Sequence, residues 1–74
     1  MSSFRTDFVT IIFRRVAGVR IIRRFRIVGT AFPCRRFLFI GGRVLNAERC
    51  LLANGFRIIS SRRNTLVFAR KIFL

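Results

Sequence analysis

Arginine doublets are the residues of this sequence whose type and spacing best suit a defined chemistry. They occur at 14–15, 23–24, 35–36 and 62–63, each flanked by apolar residues. A guanidinium presents five donors in a planar fork that binds phosphate oxygens bidentately, whereas a lysine ammonium is a point charge. Of the 16 basic residues 15 are arginine, which favours phosphate binding but is equally what codon bias in a GC-rich genome would produce. The predicted phosphate-binding residues are Arg14, Arg15, Arg20, Arg23, Arg24, Arg26, Arg35, Arg36, Arg43, Arg62 and Arg63.

Side chains suited to catalysis or metal binding are almost missing from the sequence. It contains no His, Tyr or Trp, and its only acids are Asp7 and Glu48, which are far apart in the chain. General acid–base catalysis therefore has almost no candidate residues, and a paired-carboxylate mechanism would need both acids. A structural zinc site needs four ligands, which Cys34 and Cys50 cannot supply alone. We predict that the protein is not an enzyme and has no catalytic residue, metal site or cofactor.

The two cysteines leave their own redox state open. Buried thiols behave as small hydrophobic side chains, and the simplest interpretation is that Cys34 and Cys50 are two such thiols. A single disulfide between them is the alternative, and nothing in their spacing decides between the two states.

The charge of the chain points to an anionic partner. Its formal net charge is +14 at pH 7 and its pI is about 12.0. Mean hydropathy is +0.46 and 53% of the residues are hydrophobic, which is unlike a disordered basic tail. A chain of 74 residues buries only a modest share of its surface. We predict one small chain, 1–74, without separable domains and with little independent core.

The N-terminal part of the sequence has the features of an amphipathic helix. Thr6 or Asp7 can cap a helix over 6–17. Over 19–28 a helical and a strand period compete, and we favour the helix because a long arm docks without needing a second strand. Residues 1–28 then form an Arg-rich amphipathic arm. The predicted protein-docking residues on its apolar side are Phe4, Phe8, Ile11, Ile12, Val19 and Ile22.

The rest of the sequence predicts a linker, one helix and an extended tail. Glycines and Pro33 break the segment 29–43. A short helix is predicted over 44–53, because Asn54 and Gly55 form a C-cap signal. Two strand-like runs follow at 56–61 and 65–74, joined by a polar turn. The predicted fold class is thus small and mainly α, with extended segments towards the C-terminus.

Composition and charge support two hypotheses for the function. The first is a structural component of a mitochondrial ribosome, whose arginines bind rRNA phosphates while its Phe, Ile and Val patches contact neighbouring proteins. The alternative is a small matrix-side accessory subunit of an inner-membrane respiratory or ATP-synthase complex, in which arginine meets anionic lipid. Both predict a mitochondrial matrix location, because the Arg-rich, acid-poor N-terminus is typical of an import signal, here retained. No run of apolar residues is long enough for a transmembrane span.

Overall fold

A four-stranded antiparallel sheet is the main element of the computed structural model, which describes residues 3–73. Met1, Ser2 and Leu74, at the ends of the predicted arm and tail, lie outside the described residues. The strands are β1 (Phe4–Val16), β2 (Val19–Val28), β3 (Arg57–Ser61) and β4 (Thr65–Phe73), in the spatial order β2-β1-β4-β3. A short 3-10 helix (Arg35–Phe37) and the helix α1 (Val44–Ala53) separate β2 from β3.

The prediction of a mainly α chain is wrong, since the structure is 54% strand and 18% helical. The N-terminal arm is not a helix but the strand β1, in which Asp7, Val9, Ile11 and Phe13 alternate into the interior. This alternation is masked in the sequence because the opposite face also carries large apolar residues such as Phe8. Apolar residues on both faces of a strand imitate the apolar arc of a helix.

The segment 19–28 is the strand β2, so the helix favoured there is also wrong. Its alternation is broken by a bulge: Ile12 pairs with Arg24, but the next residue, Phe13, pairs with Ile22. Arg23 is the extra residue, and a bulge of this kind reverses which positions point to each face. Neither a strict strand period nor a helical period therefore fits the sequence of β2.

The β1–β2 hairpin extends past the rest of the sheet. Its turn residues Ala17 and Gly18 have φ of 52° and 81°, as a two-residue type I′ turn requires. β1 pairs with β4 only as far as Ile12, so the end of the hairpin projects beyond β4. The molecule is correspondingly elongated, with principal extents of 50 × 23 × 18 Å.

A hydrophobic core lies between one face of the sheet, here called the inner face, and a layer made of 29–43 and α1. This corrects the expectation of little independent core. The predicted linker contributes buried residues, and α1 lies at the predicted position, 44–53. Cys34 and Cys50 form a disulfide across this layer, with their Cα atoms 5.7 Å apart. The core residues are Val9, Ile11, Phe13, Ile22, Ala31, Cys34, Leu38, Val44, Ala47, Leu51, Phe56, Leu66 and Phe68.

Extended structure after α1 is present as predicted, in the strands β3 and β4. Asn54 ends the helix, and the Phe56 amide donates to the Leu51 carbonyl across Gly55, whose φ is 90°. Among residues 3–73, no helix has both the length and the apolar character needed to cross a membrane.

Candidate nucleic-acid interface

Three of the four arginine doublets meet at one end of the sheet. Arg24 pairs with Ile12 across β1 and β2, next to the doublet of β1. The turn between β3 and β4 reaches the same place, because the Phe13 amide donates to the Asn64 carbonyl at 2.9 Å. All six arginines are exposed. This cluster, named the basic end, consists of Arg14, Arg15, Arg23, Arg24, Arg62 and Arg63.

The basic end presents cations to both sides of the sheet. Successive residues of a strand point to opposite faces, so Arg14 and Arg15 diverge. Arg15 lies on the inner side, with its guanidinium 5.9 Å from the centre of the Phe13 ring. A polyanion that passes over either side of this end therefore meets at least one guanidinium.

The remaining predicted phosphate-binding arginines lie in other places. Arg35 lies over the Phe25 ring at 5.0 Å and donates from Nη1 to the Leu38 carbonyl at 2.7 Å, so its side chain stabilises the 3-10 helix. Arg36 is exposed, and its guanidinium lies 4.8 Å from the centre of the Phe37 ring. Arg20 is paired with Glu48 at 3.0 Å, which leaves its charge largely compensated.

Two further predicted phosphate-binding residues, Arg26 and Arg43, are exposed outside the basic end. Arg26 is exposed on β2, on the face opposite the core. Arg43 is exposed at the start of α1 and borders a shallow depression of about 280 Å³ beside Val19 and Arg20. Neither residue forms an ion pair within the described part of the chain.

Both acidic side chains, Asp7 and Glu48, form ion pairs within the fold. Asp7 is fully buried, and its carboxylate accepts from Arg70 and Arg5, each at 3.1 Å, and from the Thr30 amide at 3.2 Å. Burial by itself raises the pKa of Asp7, but the Thr30 amide and the two guanidinium groups outweigh it and lower the pKa below its ordinary value.

The two acids therefore form ion pairs with only three arginines. Glu48 pairs with Arg20, and Asp7 pairs with Arg5 and Arg70. The other twelve arginines have no carboxylate partner among residues 3–73. An arginine-rich surface normally carries balancing acids, and here the excess charge is left to an external anion.

The sheet face away from the core, here called the outer face, is a second basic surface. The register places Arg24 and Arg26 along its β2 side, and Arg57 and Lys71 along the β3–β4 side. Arg57 and Lys71 were not predicted as site residues. Alternate residues of a strand share a face, so Arg57 and Lys71 could be assigned to the face of Phe8 once β3 and β4 are aligned with β1.

The predicted protein-docking residues do not form one surface. Ile11 and Ile22 are core residues with 0% and 1% of their surface exposed, so they are not accessible to a partner. Phe4, Phe8 and Ile12 lie on the outer face, and Val19 lies beside the hairpin turn. The more exposed apolar residues of the other layer were missed: Phe32, Phe39, Ile40, Leu45 and Leu52.

No family model, no curated protein and no solved structure matches this chain. Within residues 3–73, no group of three or more metal-ligating side chains occurs. The candidate interface is therefore defined by its geometry: a basic end, a basic outer face and exposed apolar side chains on the opposite layer.

Proposed function

We propose that the protein is a structural RNA-binding component of a ribonucleoprotein particle and that its basic end binds rRNA phosphates. The observation that carries the proposal is the meeting of three arginine doublets at one end of the sheet, none of whose six arginines is ion-paired among residues 3–73. Arginine binds phosphate bidentately, and phosphate contacts position a protein on RNA without reading its sequence.

The shape of the basic end suits RNA. The end of the β1–β2 hairpin projects from the sheet, and the whole molecule is 50 Å long but only 18 Å thick. A two-stranded ribbon of this kind can lie between RNA segments and contact phosphates on both of its sides. The deep, narrow major groove of A-form RNA is closed to base readout by side chains, so we expect backbone contacts there.

The mitochondrial ribosome is the particle we propose, from the Arg-rich, acid-poor N-terminal composition. The Cys34–Cys50 disulfide argues in the other direction, because disulfides persist in oxidising compartments. The native particle can be quenched with acid and its free thiols then alkylated. This measures the redox state of Cys34 and Cys50 in a preparation whose RNA content is also known. We expect the protein to be recovered with rRNA, and its cysteines to be reduced if the particle resides in the matrix.

The test of RNA binding is the dependence of the dissociation constant on salt. Six phosphate contacts give a slope of about −4 in log K against log salt, at about −0.7 per contact with single-stranded RNA. Replacing both arginines of one doublet of the basic end by glutamine should lower the magnitude of the slope by about 1 to 1.5. Arg36→Gln/Arg49→Gln is the matched control, since it removes the same charge from two exposed positions in the layer opposite the sheet. An equal change in this control and in the three doublets would contradict a localised site.

A second candidate, the accessory subunit of an inner-membrane complex, is favoured by the exposed apolar side chains in the layer opposite the sheet. Phe39 and Ile40 are 53% and 73% exposed, and Leu45 and Leu52 of α1 are each 47% exposed. Vesicles that contain cardiolipin, compared with neutral vesicles, distinguish the candidates. Strong binding to the anionic vesicles, together with RNA binding that ignores salt, would replace the ribonucleoprotein proposal.

A further inference from the structure

We propose that the outer face binds a single-stranded segment of RNA by stacking an unpaired base on Phe8. The proposal rests on the proposed function in one respect, that the ligand is RNA. It uses other residues and another kind of contact, because the basic end binds phosphates alone. It also gives Phe8 a role different from the protein docking predicted from the sequence.

Phe8 lies at the centre of the outer face. It is on β1, an inner strand of the sheet, and pairs with Val28 on one side and Ala69 on the other. The next residues along β1 on the same face are Thr6 and Thr10, so three of its four nearest neighbours are small. The side chain remains 36% exposed, although it belongs to a central strand. A planar apolar ring that is open to solvent in this way can stack on any base.

Cations flank Phe8 on both sides. Arg26, paired with Thr10, lies on the β2 side, whereas Arg57, paired with Ala69, lies on β3. Neighbouring strands are about 4.8 Å apart, so the two arginines are separated by roughly 14 Å across the sheet. Lys71, paired with Thr6, adds a third cation to this face, and its Nζ lies 5.2 Å from the centre of the Phe4 ring. A nucleotide stacked at the centre therefore has cations within reach on either side for its phosphates.

A depression beside Phe8 adds room for the ligand. Its volume is about 400 Å³, and it is lined by Thr6, Arg57, Ala69 and Lys71 of the outer face together with Gly55, Ile59 and Arg70. Two cations and a hydroxyl at the rim of a concave surface suit a phosphate or a ribose. The stacking position and this depression are adjacent, because Ala69 borders both.

The charge of the outer face indicates which class of ligand it binds. Asp7 is buried on the inner face and Glu48 belongs to α1, so the outer face carries no carboxylate among residues 3–73. A second copy of the chain would bring like charges together and is disfavoured. A lipid headgroup or an acidic protein would use the cations but would have no need of an aromatic ring between them. Single-stranded RNA uses both features.

The experiment uses the full oxidised chain with the single substitution Phe8→Trp. The natural sequence contains no Trp or Tyr, so the new indole is the only strong fluorophore. Titration with a ten-residue oligouridylate should quench its emission, because a stacked base quenches indole. Phe39→Trp, at an exposed position on the opposite layer, is the matched control and should not be quenched. Heparin, a polyanion without bases, should bind to both variants without quenching.

Affinity measurements with Phe8→Leu complete the test. Loss of stacking should weaken oligouridylate binding about 5- to 150-fold, whereas the salt slope and the affinity for heparin should not change. Salt-dependent binding without quenching in Phe8→Trp, and without weakening in Phe8→Leu, would overturn the stacking proposal and leave the basic end intact. Equal quenching by heparin would show anion binding without stacking and would also overturn it. Failure to bind either polyanion would overturn the proposed function itself.

Discussion

Asp7 and Arg70 face each other across β1 and β4 and form a buried ion pair, with Nη2 and Oδ2 3.1 Å apart. The same guanidinium donates to the Phe32 carbonyl at 2.9 Å and to the Asn54 carbonyl at 3.2 Å, and lies 4.2 Å from the centre of the Phe56 ring. One arginine thus ties the sheet to the segment 29–43 and to the end of α1.

We expect Asp7→Asn to destabilise the fold strongly. The substitution leaves the Arg70 guanidinium, whose side chain is only 11% exposed, without its counter-charge. Breaking a buried pair in this way lowers the free energy of unfolding by about 3–5 kcal/mol. Glu48→Gln is the control, since its pair with Arg20 is partly exposed and should contribute about 1 kcal/mol or less. Denaturant titrations measure both, and equal small losses would contradict a structural role for the Asp7 pair.

Acid should weaken the fold through the same carboxylate. The pKa of Asp7 is lower in the folded protein than in the unfolded chain. Its contribution to stability is therefore fully present above the unfolded pKa, about 3.8, and is lost as the pH falls through the lower folded value. Unfolding titrations from pH 6 to pH 2 should show this loss in the native chain and a smaller one in Asp7→Asn. Parallel curves would show that another group is responsible.

Gly29→Ala should be more damaging than Gly18→Ala. Both glycines have positive φ, 85° and 81°, and alanine is strained at either position by about 1–2 kcal/mol. Only at Gly29 would the added Cβ also collide with Oδ1 of Asp7. We expect a loss of more than about 2 kcal/mol there, with partial rupture of the Asp7 ion pairs. Comparison of the two melting curves is sufficient, and equal shifts would exclude the collision.

Reduction of the Cys34–Cys50 disulfide should lower stability by about 3 kcal/mol. The two residues are 16 apart in sequence, and a closed loop of about this length restricts the unfolded chain by that amount. Denaturation with and without a thiol reductant measures the effect. Cys34→Ser/Cys50→Ser is the control and should not respond to the reductant. A native chain whose thiols are shown to be free but whose stability is unchanged would contradict this expectation.

Ala17→Asn should stabilise the β1–β2 hairpin. Ala17 has a φ of 52°, a region that Asn tolerates better than Ala, and Asn-Gly is a preferred type I′ pair. We expect a gain of about 0.5–1 kcal/mol in the free energy of unfolding. Val16→Thr, at an exposed strand position next to the turn, should change it little. A loss of stability in Ala17→Asn would indicate a different turn.

The elements that could be predicted from the sequence are those with local signals. The Asn54-Gly55 cap set the end of α1, and β-branched residues marked β3 and β4. β1 could not be recognised, because its outer face carries Phe8 and Ile12 as well as threonines, which hides the period of two. β2 could not be typed because the bulge at Arg23 reverses its alternation, a feature that depends on the partner strand.

The candidate site was predictable in composition but not in arrangement. The doublets were apparent from the sequence, yet their meeting depends on the β1–β2 register and on the hydrogen bond from Phe13 to Asn64. The outer face was missed because Arg57 and Lys71 are single residues in separate strands. Their common side follows only from the pairing of β3 and β4.

Both carboxylates, those of Asp7 and Glu48, are held in internal ion pairs, and this affects the electrostatic potential around the molecule. The sequence has no histidine, the one side chain whose ordinary charge change falls near neutral pH, and its two cysteines are bonded to each other. Its side chains thus have little with which to buffer or adjust the surface potential across the physiological pH range. The affinity of such a surface for a polyanion depends on the ionic strength of the solution and changes little with pH.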